Sequence, residues 1–200
     1  SVETVMKGAK AMQEFKPDWI VAVGGGSPID AAKAMWVFYE YPDTKFEDLI
    51  TPFSFPTLRT KAKFCAISST SGTATEVTAF SVITDHSRNY KLTVFSYEIL
   101  PKYAILDAEL ITTAPASVAA ACGIDAFIHA EEAYVSTAAS PFSDALAEKA
   151  MALIGKNIRR FVANRNDIEA AEAMMTGSLF AGIAFSFARL GNVHACLLYT

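Results

Sequence analysis

The most informative segment of the sequence is Trp19-Ile-Val-Ala-Val-Gly-Gly-Gly-Ser-Pro-Ile-Asp30. Its apolar first half, Trp19 to Val23, is typical of a strand that is buried on both faces of a parallel sheet. Three glycines break the strand, Ser27 can cap a following helix, and Pro28 is favoured in the first turn of a helix. The segment therefore predicts a strand, a tight glycine turn and a helix from Ile29 to Tyr39.

The flanking sequence continues the alternation of strands and helices. Apolar residues at helical spacing predict a helix from Val2 to Phe15, whereas residues 42–60 have no clear period and are expected to be irregular. Four more segments have the composition of strands: Lys63–Ile67, Val77–Thr84, Lys91–Ser96 and Tyr103–Leu106. Strands separated by helices are typical of a doubly wound, Rossmann-like α/β domain with a parallel sheet.

The character of the chain changes after Pro115. Alanine becomes abundant, as expected where helices pack closely together. Three long segments suit helices and have little strand propensity between them: Ser117–Ser136, Asp144–Val162 and Ile168–Leu190. We therefore predict an α/β domain over residues 1–113 and an all-helical domain over residues 114–200.

The composition excludes several classes of protein. Of the 200 residues, 52% are apolar and 19% are charged, which supports a large core and argues against disorder. A formal net charge of -4 disfavours a nucleic-acid partner, because phosphate binding requires a basic face. The most apolar stretch, Ser178–Ala188, stops well short of the roughly 20 residues that a bilayer requires.

The cellular compartment is predicted from two further observations. The sequence does not begin with a secretion signal. The cysteines are odd in number and have no close partners in the sequence, which suits a reducing compartment: Cys65, Cys122 and Cys196. We therefore expect a cytoplasmic protein without a membrane partner.

Two polar loops follow two predicted strands, and each has the chemistry of a phosphate site. At Gly24-Gly-Gly-Ser27, backbone amides can approach a pyrophosphate closely, and the positive end of the next helix favours its charge. Asp30 faces this turn. The hydroxyl groups of Ser68–Thr75 can bond phosphate, ribose or a carboxamide. Either loop alone can also be a structural turn or a helix cap, but the two together favour a phosphorylated cofactor.

A carboxylate and an imidazole lie four residues apart in Asp125-Ala-Phe-Ile-His129. On a helix they share one face, which suits a divalent transition metal with mixed oxygen and nitrogen ligands. A surface ion pair is the alternative, but the neighbouring residues are apolar, and a buried charge without a partner is costly. His194 follows a predicted buried helix and can bring a third ligand to the same point. Glu131 and Glu132 are predicted to lie on a solvated helix face.

With these residues in view, the sequence resembles the iron-containing alcohol dehydrogenase family, especially the butanol dehydrogenases and the alcohol dehydrogenase half of bifunctional aldehyde-alcohol dehydrogenases. The resemblance runs from about Val2 to His194. It is carried by four motifs in order along the chain: Gly24-Gly-Gly-Ser-Pro-Ile-Asp30, Ser69-Thr-Ser-Gly-Thr-Ala-Thr-Glu76, Asp125-Ala-Phe-Ile-His-Ala-Glu-Glu-Ala-Tyr134 and Gly191-Asn-Val-His194.

The resemblance implies a dehydroquinate synthase-like fold, here incomplete, with the active site in the cleft between an α/β dinucleotide domain and a helical domain. The implied cofactors are NAD or NADP and ferrous iron, with zinc in some members. A metal ion would polarise the oxygen of a small alcohol or aldehyde while hydride passes to or from the nicotinamide. The intact protein is expected to be a homodimer or a larger homo-oligomer.

The resemblance also assigns roles to individual residues. The implied metal ligands are Asp125, His129 and His194. The implied cofactor-binding residues are Gly25, Gly26, Ser27, Ser69, Thr70, Thr73, Val82 and Lys91. Asp30 is added to this set because it lies beside the glycine turn.

The sequence departs from the family pattern at both ends. The family's fourth metal ligand is a histidine further along the chain than this sequence extends, and a further family histidine would fall at Leu198. The family's first strand and helix are also absent. We therefore expect the intact parent to be an alcohol dehydrogenase and the 200-residue chain to be inactive. The alternatives are a zinc enzyme of the related glycerol dehydrogenase or dehydroquinate synthase branch and a dinucleotide-binding module without catalysis.

Overall fold

All described strands lie in the first part of the chain, and four helices follow them from Ala116 onwards. The computed structural model describes residues 1–49 and 56–197. Its strands are β1 (Trp19–Gly24), β2 (Lys63–Ser68), β3 (Phe80–Asp85), β4 (Tyr90–Phe95) and β5 (Tyr103–Leu106). Its helices are α1 (Val2–Phe15), α2 (Gly26–Glu40), α3 (Phe46–Leu49), α4 (Ala116–Tyr134), α5 (Pro141–Ala163), α6 (Ile168–Ala188) and α7 (Asn192–Leu197). The domain boundary between residues 113 and 114 stays a prediction, although the change from strands to helices falls there.

A three-stranded parallel sheet in the order β1-β2-β5 confirms the predicted α/β fold. Gly24 pairs with Ser68, and Ser68 pairs with Leu106, so the carboxyl ends of the strands lie side by side. The backbone amide of Ser69 donates a hydrogen bond to the carbonyl of Gly24 over 2.8 Å. The two polar loops therefore begin next to each other at one edge of the sheet.

Only one face of this sheet is covered in the described residues, so the prediction that β1 is buried on both faces is wrong. Helix α2 packs on the covered face, where the rings of Trp36 and Phe64 stack at 5.2 Å. On the opposite face Trp19, Val21 and Val23 are 42%, 55% and 58% exposed. A continuous run of apolar residues does not show whether one face of a strand is buried or both, because the same sequence is compatible with either.

Strands β3 and β4 form a separate antiparallel hairpin and do not belong to the parallel sheet. Both overlap the segments predicted as strands, and each extends one residue beyond its segment, but their placement in a doubly wound sheet is wrong. The turn between Asp85 and Tyr90 is too short for the crossover of a dozen or more residues that a parallel pair needs.

Helix α2 begins three residues earlier than predicted. Gly25 is its N-cap residue, and Ser27 lies exposed inside the first turn, so the prediction that Ser27 caps the helix is wrong. The short helix α3 lies in the segment predicted to be irregular, and residues 50–55 of that segment lie outside the described residues.

The three long helices α4, α5 and α6 pack on one another through small residues. At Gly177 of α6 an added β-carbon would lie 2.6 Å from Cγ1 of Ile154 on α5, so only glycine allows this approach. Helix α6 is long and apolar enough to cross a bilayer. However, 56% of its most apolar stretch is buried inside the protein, as in the core helix of a globular domain. The three predicted helices are confirmed to within three residues at their ends, whereas the short helix α7 was not predicted.

Lys33 of α2 is fully buried, and its ammonium group organises the chain between the second polar loop and the hairpin. Its Nζ donates hydrogen bonds to the carbonyl oxygens of Thr75, Thr78 and Phe80 over 2.6, 2.7 and 2.8 Å. It also donates to Oγ1 of Thr75 over 3.0 Å. Burial lowers the pKa of Lys33 to about 8, against the attraction of nearby Asp30 and Glu76, so the group is charged at neutral pH.

We expect Lys33→Met to destabilise the protein by about 3 kcal/mol or more, because several buried acceptors and two carboxylates lose their cationic partner. Urea unfolding measures this change. Lys7→Met removes the charge of an exposed lysine and should change the free energy of unfolding by less than about 0.5 kcal/mol. Equal effects of the two substitutions would show that the buried ammonium does not stabilise the fold.

Candidate active site

Three side chains with metal-binding atoms converge between α4 and α7. Nε2 of His194 lies 3.3 Å from Oδ1 of Asp125, and Nδ1 of His129 lies 4.0 Å from Oδ2 of Asp125. The two imidazole rings stack with centroids 4.1 Å apart. One ligand atom from each residue lies within 4.8 Å of the others. The structure therefore brings together the three residues that the sequence singled out, while their role as metal ligands stays a prediction.

The local sequence explains how these side chains meet. Asp125 and His129 are four residues apart on α4, which places them one turn apart on the same face. Helix α6 ends at Ala188, and its C-cap residue Arg189 has a positive φ of 69°, which turns the chain back towards α4. Helix α7 follows and carries His194 to the cluster. Leu198 lies outside the described residues.

The environment keeps His129 neutral and leaves one of its nitrogens unpaired. The side chain is 5% exposed and packs against Phe185 with ring centroids 4.6 Å apart. Burial lowers the pKa of His129 to about 4, although Asp125 opposes the shift. Nδ1 is buried without a hydrogen-bond partner among the described residues. A neutral imidazole with an unpaired buried nitrogen fits a metal ligand, because a bound cation would satisfy that atom.

Glu132 is buried beside His194, contrary to the prediction from the sequence. Glu131 is exposed as predicted, but Glu132 is only 6% exposed, so its placement on a solvated face is wrong. Its Oε2 lies 2.5 Å from Nδ1 of His194, and its Oε1 accepts a hydrogen bond from the backbone amide of Val193 over 2.7 Å. Burial lowers the pKa of His194, but Asp125 and Glu132 outweigh this and raise it overall.

A signal for Glu132 was present in the sequence. It follows Asp125 by seven residues and His129 by three, which is the spacing of residues on one helix face. Glu131 follows Asp125 by six residues and His129 by two, which places it on a different face of the helix.

The glycine turn and the second polar loop touch each other. Gly24 has a φ of 149°, a conformation that residues with a β-carbon rarely adopt. An added β-carbon at Gly25 would lie 3.0 Å from Cγ2 of Thr70, and one at Gly26 would lie 2.8 Å from Cγ2 of Thr73. Oγ1 of Thr73 is buried without a hydrogen-bond partner among the described residues. The two loops therefore form a narrow polar cradle of the kind that a pyrophosphate fits.

The second loop also reaches α6 and α4, the helix that carries Asp125 and His129. An added β-carbon at Gly72 would lie 2.9 Å from Cα of Cys122, one turn before Asp125. Ser178 of α6 donates a hydrogen bond to the carbonyl of Gly72 over 3.3 Å. Burial lowers the pKa of His129, and a hydrogen bond with the backbone of Gly72 opposes this shift. Gly72 therefore connects the polar cradle to the three converging side chains.

The remaining predicted cofactor residues surround this cradle. Oδ1 of Asp30 accepts a hydrogen bond from Oγ1 of Thr75 over 2.5 Å, and Oδ2 accepts one from the backbone amide of Val82 over 2.9 Å. Asp30 thus ties α2 to the second loop and to the hairpin. Lys91 lies on the hairpin opposite Thr84. Direct contact of Asp30, Val82 and Lys91 with a cofactor stays a prediction.

Two family models match the chain. The model described as iron-containing alcohol dehydrogenase matches residues 1–108, and the model of the C-terminal part of the Fe-containing alcohol dehydrogenase family matches residues 119–198.

Individual relatives agree with these matches. An NADPH-dependent butanol dehydrogenase of Clostridium saccharobutylicum is 54% identical over 98% of this chain and 50% of its own length. The bifunctional aldehyde-alcohol dehydrogenase of Escherichia coli strain K12 is 43% identical over 98% of this chain and 23% of its own length. The chain thus spans about half the length of the butanol dehydrogenase and a smaller share of the bifunctional enzyme.

Solved structures have the same fold. A 1,3-propanediol oxidoreductase is 37% identical with a TM-score of 0.90, over 96% of this chain and 49% of its own. A sulfoacetaldehyde reductase of Bifidobacterium kashiwanohense in complex with NAD+ is 30% identical with a TM-score of 0.88, over 96% of this chain and 50% of its own. The resemblance drawn from the four sequence motifs is confirmed, and the chain belongs to the iron-containing alcohol dehydrogenase family.

Proposed function

We propose that the protein containing this chain is a metal-dependent dehydrogenase that transfers hydride between NAD(P) and a small primary alcohol or aldehyde. The observation that carries this proposal is the placement of Asp125, His129 and His194 around one point, beside a loop that also borders the glycine turn. Such an arrangement would put a metal-bound substrate oxygen next to a bound dinucleotide, as the proposed reaction requires. The butanol dehydrogenase relative, named as NADPH-dependent, supports the same reaction class.

The proposed cofactor is a nicotinamide dinucleotide held at the two contacting loops. Gly25, Gly26 and Ser27 would bind the pyrophosphate through backbone amides and a hydroxyl group at the start of α2. Ser69, Thr70 and Thr73 would line the neighbouring side, with Val82 and Lys91 near the nicotinamide ribose. The NAD+ complex of the sulfoacetaldehyde reductase supports a nicotinamide cofactor.

The proposed metal is ferrous iron, for which the family is named, and zinc is the alternative for the same donors. When bound, the ion would supply Lewis-acid chemistry that polarises the oxygen of the substrate. The chain itself contributes a carboxylate, a neutral imidazole at His129 and a second imidazole at His194. Phe185 packs on His129 and shields it from water on that side. The three cysteines are unpaired, which agrees with the proposed cytoplasmic location.

The metal proposal predicts the effect of Asp125→Asn. This substitution keeps the size of the side chain but removes the charge that offsets a cation, so we expect Fe2+ affinity to fall by more than about a hundredfold. Anaerobic titration calorimetry measures the affinity. Asp43→Asn makes the same change at an exposed position and should leave it unaltered. Equal affinities in the two variants would remove Asp125 from the metal site.

The dinucleotide proposal predicts the effect of Gly25→Ala. The added methyl group would point at Thr70 and narrow the cradle, so we expect NADPH affinity to fall by about tenfold or more, which is ~1.4 kcal/mol. Gly155→Ala is the matched control, because the nearest atom to its new β-carbon, Cε2 of Phe127, is 3.9 Å away. Unchanged NADPH fluorescence titrations for Gly25→Ala would place the cofactor elsewhere.

The reaction itself is tested on the complete protein that contains this chain. Loaded with Fe2+ without oxygen, it should oxidise NADPH or NADH when butanal is added, and Asp125→Asn should abolish this turnover while cofactor binding persists. Faster turnover of glycerol with Zn2+ would favour the glycerol dehydrogenase branch. Cofactor binding without turnover of any alcohol or aldehyde would instead indicate a dinucleotide-binding module.

A further inference from the structure

The carboxylate of Glu132 makes two separate contacts. Glu132 itself is not one of the three residues whose metal-binding atoms converge. One oxygen, Oε1, accepts the backbone amide of Val193 at the start of α7 over 2.7 Å. The other, Oε2, lies 2.5 Å from Nδ1 of His194. Glu132 is only 6% exposed, so both oxygens are largely shielded from water.

The contact between Glu132 and His194 decides which ring nitrogen carries a proton. An ionised carboxylate only accepts hydrogen bonds, so Nδ1 of His194 must donate. Nε2 is then free of a proton in the neutral ring. This nitrogen points at Oδ1 of Asp125, 3.3 Å away. In the neutral ring these two acceptors face each other. A second proton, which the raised pKa of His194 favours in the metal-free ring, or a metal cation at this point would satisfy both.

The backbone around His194 is shaped to admit this carboxylate. At Gly191 an added β-carbon would lie 2.9 Å from Oε1 of Glu132. The backbone of Gly191 also interacts with the carboxylate, as does that of Val193. Glu132 therefore contacts the chain before α7, the first turn of α7 and the ring of His194.

We propose that Glu132 is a positioning residue for His194: it holds the imidazole in the tautomer with a protonated Nδ1 and so presents Nε2 to the metal together with Asp125 and His129. This inference rests on the proposed metal site. Carboxylate partners of this kind orient the imidazole ligands of metals in proteins and increase the basicity of the nitrogen that binds.

The test compares Glu132→Gln with Glu132→Asp. Glutamine matches glutamate in size but has one acceptor and one donor group. If its oxygen keeps the bond to the amide of Val193, its NH2 group faces Nδ1 of His194 and forces the proton onto Nε2. Aspartate is one methylene shorter but keeps both acceptor oxygens, so it can still receive the proton of Nδ1.

Two measurements are made on the complete protein that contains this chain. The first is Co2+ and Zn2+ affinity by titration, which should fall about 10- to 100-fold in Glu132→Gln and less in Glu132→Asp. The second is the 13C signal of the imidazole ring in the metal-free protein, recorded above the raised pKa of His194, where the ring is neutral and its signal reports the tautomer. The signal of His194 is assigned as the one that the substitution His194→Gln removes. We expect the tautomer to switch in Glu132→Gln.

The control is Glu131→Gln, which makes the same change on the same helix at an exposed residue. It should alter neither metal affinity nor the ring signal. If Glu132 only caps α7, glutamine would cap it equally well, and an unchanged metal affinity and tautomer in Glu132→Gln would overturn the proposal. Weaker binding in Glu132→Asp than in Glu132→Gln would also overturn it, because size rather than the two acceptors would then matter. If the complete native protein binds no Fe2+, Co2+ or Zn2+, the metal centre itself is overturned and this inference with it, whereas native binding with unaffected variants overturns only the role of Glu132.

Discussion

The close approach of the second polar loop to both halves of the structure is the constraint on which the site depends. At one end the loop contacts the glycine turn, where Thr70 and Thr73 leave no room for a β-carbon at Gly25 or Gly26. At the other end Gly72 lies against α4. Because both contacts depend on glycine, the loop can bridge the sheet and the helices without a gap. The proposed dinucleotide and metal sites are thereby next to each other.

Buried polar groups hold this loop in place. The ammonium of Lys33 gathers three backbone carbonyls of the segment that leaves the loop, and the carboxylate of Asp30 binds Thr75 and the amide of Val82. Both side chains come from the first half of α2, the helix that begins at the glycine turn. The element that would bind the pyrophosphate therefore also orients the hairpin beside it. Such a network is stable only because nearly every buried donor and acceptor in it has a partner.

The cluster on α4 and α7 differs from this network, because one of its buried nitrogens has no protein partner. Nδ1 of His129 is buried and unpaired among the described residues, whereas Nε2 of His194 lies beside a carboxylate oxygen of Asp125. An unpaired buried nitrogen is unfavourable in a metal-free core, and a cation bound by these three side chains would satisfy it. Glu132 supports the cluster indirectly, because its carboxylate binds the ring of His194 and the backbone amide of Val193.

Local spacing was enough to predict the alternation of strands and helices, the two polar loops and the pair Asp125 and His129, because helical and strand periodicities place those residues relative to their own element. The four motifs were enough to predict the family. Contacts between distant parts of the chain could not be derived in this way. They include the pairing of β3 with β4, the open face of β1, the burial of Lys33 under the second loop and the contact of Glu132 with His194. In each case a charged or apolar side chain suits more than one environment, and the packing of a remote element decides which one it meets.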